Sequence, residues 1–359
     1  MKIKSVLVLG LGKVGTLVGT LLKKTGFEVT GSDIYAKQNL PFPLATIDVS
    51  NIESLSDKLQ SFDAVISCLP YNYNLGVATV AHKLGVHYFD LTEDVPTTKA
   101  IIELSKTANA VMAPQCGLAP GFIAIVGASL AANFTKIRSI KLRVGALPQN
   151  PTGLLGYAFN WSPEGVVNEY LNDCEVIENG KHKWVSPMEW IEQLFIHGIQ
   201  LEAFTTSGGL GTMCETYIGR VDNLDYKSIR YPGHVKQMNF FFHELLMRED
   251  RKKAGEILTN AKPAVNDDVV YVHASAEGLQ DKNLFRDEYV NAYYPITIDG
   301  KRWRAISWTT AASACAVIEM VNNGSLPDKG FIKQEEIALK GFLETKNGRL
   351  YSGKEHGGS

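Results

Sequence analysis

Three glycines stand where a phosphate-rich ligand could be held. Gly10-Leu11-Gly12-Lys13-Val14-Gly15 follows directly on the apolar run Val6, Leu7, Val8 and Leu9. A helical pattern continues over 16–24. Strand, then G-x-G-x-x-G, then helix is the order that a dinucleotide fingerprint requires. Gly10 permits the tight turn, Gly12 lets backbone approach a pyrophosphate, and Gly15 lets the helix pack close to the strand. Lys13 and Val14 line the same turn. The helix N-terminus offers N–H groups and the positive end of its dipole. A second strand over 28–33 ends in Asp33, about 20 residues on, where a carboxylate takes the ribose hydroxyls and repels a 2′-phosphate. The expected cofactor is therefore NAD. Lys37 and Ser32 stand close enough to keep NADP open.

These residues need a scaffold, and the first third of the chain supplies a pattern for one. Short apolar segments at 45–49, 64–70, 87–91 and 110–116 alternate with helical patterns at 52–60, 76–84 and 97–108. Such alternation implies a parallel, doubly wound sheet of the Rossmann type. Ligands of these sheets bind at the carboxyl ends of the strands. That rule selects Cys68, Leu69, Pro70 and Tyr71 after one strand, and Asp90 and Glu93 after the next. Asp48 and Val49, after the third strand, are placed to edge an adenine. Cys68, Leu69 and Pro70 are placed to pass under the nicotinamide ribose.

The pattern changes after Gly117-Leu118-Ala119-Pro120-Gly121. A helix over 122–133 leads into longer, less regular strands at 139–146, 201–206, 227–231, 269–277 and 289–298. Helices are expected at 163–172, 187–192 and 235–246. The reading is a Rossmann domain over 1–120 and an α+β substrate and dimerisation domain over 121–308. An apolar helix over 309–321 is expected to pack back on the first domain. The tail 348–359 reads as polar, Gly-rich and frayed.

Bulk properties exclude several classes. The 359 residues carry a net charge of −2 with no basic run, which argues against nucleic acid or an anionic membrane as partner. The 45% hydrophobic content suits a globular core, and no apolar stretch approaches a membrane span. The Met1 start runs into a strand, leaving no expected signal peptide. Cys68, Cys116, Cys174, Cys214 and Cys315 are odd in number and widely spaced, with no C-x-x-C and no clustered histidines. A reduced cytoplasmic protein without a structural metal is the expectation.

Several tracts together resemble the saccharopine dehydrogenase family and its relatives, the lysine 6-dehydrogenases. They are VLGLGKVG, VISCLPYNYN (65–74), GVHYFDLT (85–92), GLAPGF (117–122), VGALP (144–148), LLGYAFNWSPEGV (154–166) and SIRYPGH (228–234). The glutamate-forming reductase branch shows GLDPG where this chain has Ala119, Cys where it has Val144, and an Asn-Arg pair near Thr206-Ser207-Gly208-Gly209. A saccharopine site must pair three carboxylates, for which bidentate Arg is the usual means. Its loss, and LEAFTTSGGLGT (201–212), point to the lysine 6-dehydrogenase branch. The resemblance implies an enzyme that deaminates the lysine ε-amine oxidatively, a small amino-acid substrate, and at least a homodimer. Alternatives are a saccharopine reductase, a carboxynorspermidine-type imine reductase, or an NAD-binding sensor without turnover.

The implied reaction needs a neutral amine. With a reference pKa of ~10.4, neutralising it at pH 7 costs about 4.6 kcal/mol. His234 in the matched motif is a candidate base, with a surface-turn histidine as the plainer alternative. Arg230 is a candidate partner for the substrate α-carboxylate. Tyr71 could orient the amine or the attacking water. Asp90 and Glu93 could hold the ammonium or accept its proton. Asn160 and Trp161 lie in the most specific tract, and Trp161 offers a cation–π face.

Overall fold

Val6, Leu7, Val8 and Leu9 are fully buried because both faces of their strand are covered. The computed structural model describes residues 2–35 and 39–353, so Lys37 lies outside the described residues. Strand β1 (Ser5–Leu9) pairs in parallel with β2 (Glu28–Ser32), and β2 pairs with β3 (Leu44–Ala45). On its other side β1 pairs in parallel with β4 (Ala64–Ser67), followed by β5 (His87–Asp90) and β6 (Val111–Ala113). The sheet order β6-β5-β4-β1-β2-β3 reverses direction between β1 and β4. That switch point is where an open parallel sheet leaves a crevice. The expected doubly wound sheet is present.

Helices α1 (Lys13–Lys24), α2 (Ile52–Leu59), α3 (Tyr71–Leu84) and α4 (Val95–Ser105) make the crossovers. Asn51 and Asp94 start α2 and α4 by accepting the Ser54 and Thr97 backbone N–H groups. Gly85 ends α3 in the left-handed conformation. Leu7, Leu9, Leu55, Val65, Val77, Tyr88, Ile101 and Met112 form one apolar cluster of this unit. The strand expected at 45–49 shrinks to Leu44–Ala45. Asp48 turns the chain instead, accepting both the Ser50 N–H and its hydroxyl.

The chain divides into two compact units, Met1–Ile125 with Ser307–Ser359, and Val126–Ile306. It passes from one to the other within α5 (Phe122–Ala131). The second unit is built on β7 (Lys136–Pro148). Helix α6 (Pro163–Leu171) precedes the hairpin β8 (Cys174–Glu178) and β9 (Lys181–Val185). Then come β10 (Glu192–Ile196), β11 (Ile199–Thr205), α7 (Met213–Tyr217), β12 (Val221–Arg230), α8 (His234–Asn239), α9 (Arg251–Ala261), β13 (Asp268–Gln280) and β14 (Asn283–Tyr293). The main sheet runs β10-β11-β12-β7-β13-β14 and is mixed, β12 and β7 being its parallel pair. Its ladders hold a buried ion cluster. Arg143 bonds Glu192 and Asp225, and Lys227 reaches Glu192 at 2.9 Å. Burial alone would raise the Glu192 pKa, but Arg143 and Lys227 outweigh it and hold it at about 2.

Two expectations fail here. No helix forms at 187–192. Met188 and Trp190 have positive φ, and Met188 N–H donates to Thr205 O, so a turn leads into β10. The helix expected over 235–246 is the short α8 followed by a π-turn, Phe240–Glu244.

The chain returns through α10 (Ala305–Asn322), whose Cys315 thiol reaches Val18 O in the first unit. Asp268 caps its start by accepting Ala305 and Ile306 N–H. A seventh strand, Gly330–Phe331, pairs in parallel with β6. The tail is not frayed over 348–352. Those residues make a 3₁₀ turn, and Tyr351 is buried, its ring stacked on Phe122 at 3.8 Å. Among the described residues no helix is long and apolar enough to cross a membrane.

Candidate functional site

The glycine loop is shaped by contacts that only glycine allows. Gly10 has φ +83°, and a Cβ there would lie 2.8 Å from Cys68 O. A Cβ on Gly15 would lie 1.9 Å from Gly10 O. Gly12 differs, because a Cβ there would meet nothing within 4 Å. The loop is therefore packed shut underneath and open at Gly12. Helix α1 begins at Lys13 with no side-chain cap and no acidic residue in its first turn. The positive end of its dipole favours an anion there, and the cradle fits a pyrophosphate. Asp33 ties the loop to β2: Oδ2 accepts the Leu11 N–H at 2.7 Å and Oδ1 the Tyr35 N–H at 2.9 Å. Ser32, at the end of β2, is buried.

Of the remaining cofactor candidates, Cys68 and Leu69 join this cradle, their atoms being the nearest neighbours of Gly10. Burial pushes the Cys68 thiol up to about 12, so it acts as a filler and not as a nucleophile. Pro70 caps α3. Asp48 is exposed and engaged with Ser50, which holds its carboxyl below the usual range. Val49 packs half-buried on the core of the first unit.

Tyr71 is the first residue of α3, half-buried, one position after the Pro70 cap. Asp90 is sealed. Its carboxylate accepts Tyr88 Oη–H at 2.6 Å and the Thr92 and Gln115 N–H groups at 2.9 Å. Desolvation pushes its pKa up to about 6 against those bonds. It therefore joins β5 to the end of β6 and is not open to a substrate. Glu93, three residues on, is half-buried. Desolvation, reinforced by Asp94 and Asp90, pushes it up to about 7. A carboxyl poised there can take a proton near neutrality.

The second unit collects the other candidates. Arg230 is 3% exposed at the end of β12, and buried Glu169 is the carboxylate whose charge acts on it. Its guanidinium carbon lies 4.7 Å over the Tyr157 ring and 5.6 Å from that of Tyr170. Nε donates to Tyr170 Oη at 2.7 Å and Nη1 to Ile229 O at 2.8 Å. Among the described residues Nη2 has no hydrogen-bond partner. The charge of buried Glu169 offsets part of the cost of burying this guanidinium, and Nη2 is left able to donate to a further anion.

His234 continues the chain of bonds. Nδ1 lies 2.8 Å from Leu155 O, an acceptor only, so Nδ1 carries the proton. Nε2 is then the acceptor for Tyr170 Oη–H at 3.0 Å. Desolvation and the Arg230 charge push the His234 pKa down to about 3. Its lone pair is engaged by Tyr170 and its lowered pKa makes it a weak base. It positions Tyr170, which positions Arg230. Glu202 fixes this turn by accepting the Gly233 and Val235 N–H groups at 2.9 and 2.8 Å. Trp161 is tied in through Nε1–H to Tyr157 Oη at 3.2 Å. Asn160 is buried, its Oδ1 accepts Val265 N–H at 2.8 Å, and among the described residues its Nδ2 has no partner.

Sequence reading missed Tyr157, Tyr170 and Glu202. Tyr170 sits on α6 among Val166 and Val167 and reads as core, and only its hydroxyl distinguishes it. Glu202 meets its partners across a strand register that the sequence does not display.

Residues 6–115 match the profile described as saccharopine dehydrogenase NADP binding domain. Residues 117–349 match that described as saccharopine dehydrogenase C-terminal domain. The chain is 28% identical over 264 residues to the mitochondrial alpha-aminoadipic semialdehyde synthase of Rattus norvegicus, a match covering 66% of this chain and 28% of that one. It is 25% identical over 251 residues to the saccharopine dehydrogenase (NADP(+), L-glutamate-forming) of Pyricularia oryzae, covering 65% and 56% respectively. The matches thus span between a quarter and about half of those relatives. The solved apo saccharopine dehydrogenase (L-Glu forming) of Saccharomyces cerevisiae superposes with a TM-score of 0.72 at 16% identity, over 98% of this chain and 97% of that one. That likeness shows the fold.

Proposed function

The chain belongs to the saccharopine dehydrogenase family, and from that premise we propose that it is an NAD(P)-dependent oxidoreductase acting on the C–N bond of an amino acid. The reaction it supports best is oxidative deamination of the L-lysine ε-amine. Lysine, NAD⁺ and water give the semialdehyde, ammonium, NADH and a proton, and the aldehyde then closes on the α-amine. The observation that carries this reading is buried Arg230, which has aromatic walls and, among the described residues, an Nη2 without a hydrogen-bond partner.

In this reading Arg230 holds the α-carboxylate, and the orphan Asn160 Nδ2–H donates to a substrate oxygen. Trp161 supports the Tyr157 wall. Glu93 takes the proton that the ammonium must lose, its raised pKa matching that task. Tyr71 and Asp90 take supporting places, Asp90 by fixing the loop that carries Glu93. The glycine loop and Asp33 hold the dinucleotide, which supplies the hydride acceptor. Asp33 favours NAD, while the matched domain description and the relatives' names keep NADP in play.

A second reading, reduction toward saccharopine, is favoured by the names of the relatives. Against it stand Ala119, Val144 and Gly208, which replace the branch's Asp, Cys and Arg. Product analysis separates the two. Ammonia released in equal amount to NADH supports deamination of lysine, and glutamate released from saccharopine supports the rival.

A further inference from the structure

Three metal-ligating side chains, none of them assigned a role above, meet on the second unit. We propose that Glu175, His182 and Cys214 bind a divalent cation of the Zn²⁺ class. Their ligand atoms all lie within 4.8 Å of one another. Glu175 is on β8 and His182 on β9. The register pairs Glu175 with Trp184 and Ile177 with His182, so Glu175 and His182 are diagonal neighbours on one face of the hairpin. His182 Nε2 is 3.7 Å from Glu175 Oε1. Cys214 comes from α7 and is 3% exposed. The three ligands lie far apart in sequence, which is why no ligand spacing announces them.

The donor set is specific. Thiolate, imidazole and carboxylate together suit Zn²⁺, and thiolate disfavours Mg²⁺ or Ca²⁺. Zn²⁺ bonds of about 2.0–2.3 Å require donors roughly 3.3–3.8 Å apart. Only modest closure is needed, and the 40% exposed His182 side chain can swing to supply it. A plain His–Glu surface pair contributes little. Three protein ligands leave a fourth position for water. Binding sets the Cys214 thiol proton free, so affinity rises with pH.

The site would tie α7 to the hairpin. Ser207, on the loop before α7, already donates its N–H to Glu169 O and its hydroxyl to Asp173 O. The ion would be a second tie holding that loop, and it takes no part in the proposed reaction.

The test uses the full chain, stripped with chelator and titrated with Co²⁺ alone. One Co²⁺ per chain with thiolate-to-cobalt absorbance, displaced by Zn²⁺, is expected. Cys214→Ser should abolish that absorbance. His182→Ala, at an exposed position that leaves the fold intact, should weaken binding more than about 100-fold, beyond what loss of an outer-shell partner does. No charge-transfer absorbance at saturating Co²⁺ overturns the proposal. So does absorbance that survives in Cys214→Ser, which places the thiolate at another cysteine, or unchanged affinity in His182→Ala.

Discussion

Arg230→Met separates a substrate clamp from a structural arginine. Two of the guanidinium nitrogens are committed to Tyr170 and Ile229, which leaves Nη2 for a ligand. One charge-assisted hydrogen bond is worth about 1.5–3 kcal/mol, or roughly 10- to 150-fold in kcat/KM. Methionine keeps most of the side-chain length. It loses the Tyr170 bond, about 1.5–3 kcal/mol because the donor is charged, and leaves Glu169 without that neighbouring cation, but it also removes a buried guanidinium that is costly to desolvate. The melting midpoint should therefore move by only a few degrees. The assay compares L-lysine with L-lysinamide, in which a neutral amide replaces the carboxylate. Wild type should prefer lysine by about that 10- to 150-fold, and Arg230→Met should erase the preference while leaving lysinamide nearly unaffected. An intact fold with the preference unchanged, or equal losses on both substrates, would refute the clamp.

Three further outcomes are expected. Asp33→Ala should weaken NAD and narrow its preference over NADP by at least about tenfold, since charge-assisted ribose bonds are lost; unchanged selectivity in cofactor titrations removes Asp33 from the ribose site. Glu93→Gln should abolish the acid limb of the kcat/KM profile near pH 7. Because its folded pKa lies above the ordinary 4.5, Glu93 lowers stability progressively as pH rises from about 4.5 to 7; denaturant midpoints should lose that slope in the variant, apart from what Asp90 contributes up to about pH 6. His234→Ala orphans the Tyr170 hydroxyl, at about 1–3 kcal/mol, and should lower turnover more than NAD affinity without moving the acid limb. A shifted limb would restore His234 as the base.

The nucleotide-binding unit was legible because its signals are local. The glycine spacing, the β-branched run and the acid closing β2 each act within one β-α-β segment. Where local signals competed with tertiary pairing they misled. Residues 187–192 carry helix-forming Met188 and Glu189, yet their backbone bonds go to Thr205. The Gly-containing tail looked unstructured, but Tyr351 found a ring partner in Phe122, more than 200 residues away. In the candidate site, the sequence tract 228–234 brought Arg230 and His234 forward, and only the structure separates their roles. Burial and the Arg230 charge, neither visible in sequence, push the His234 pKa down to about 3 and weaken it as a base. In the proposed reading Glu93 takes that role, its pKa raised by desolvation and by the neighbouring Asp94 and Asp90.

The central claim is tested most directly by nicotinamide absorbance with the purified chain, comparing NAD plus L-lysine against NAD plus saccharopine from neutral to alkaline pH. Reduction with lysine alone, accompanied by ammonia, is the predicted result. Reduction with saccharopine alone would contradict it and show that a site without the reductase branch's arginine near Gly208 still binds three carboxylates.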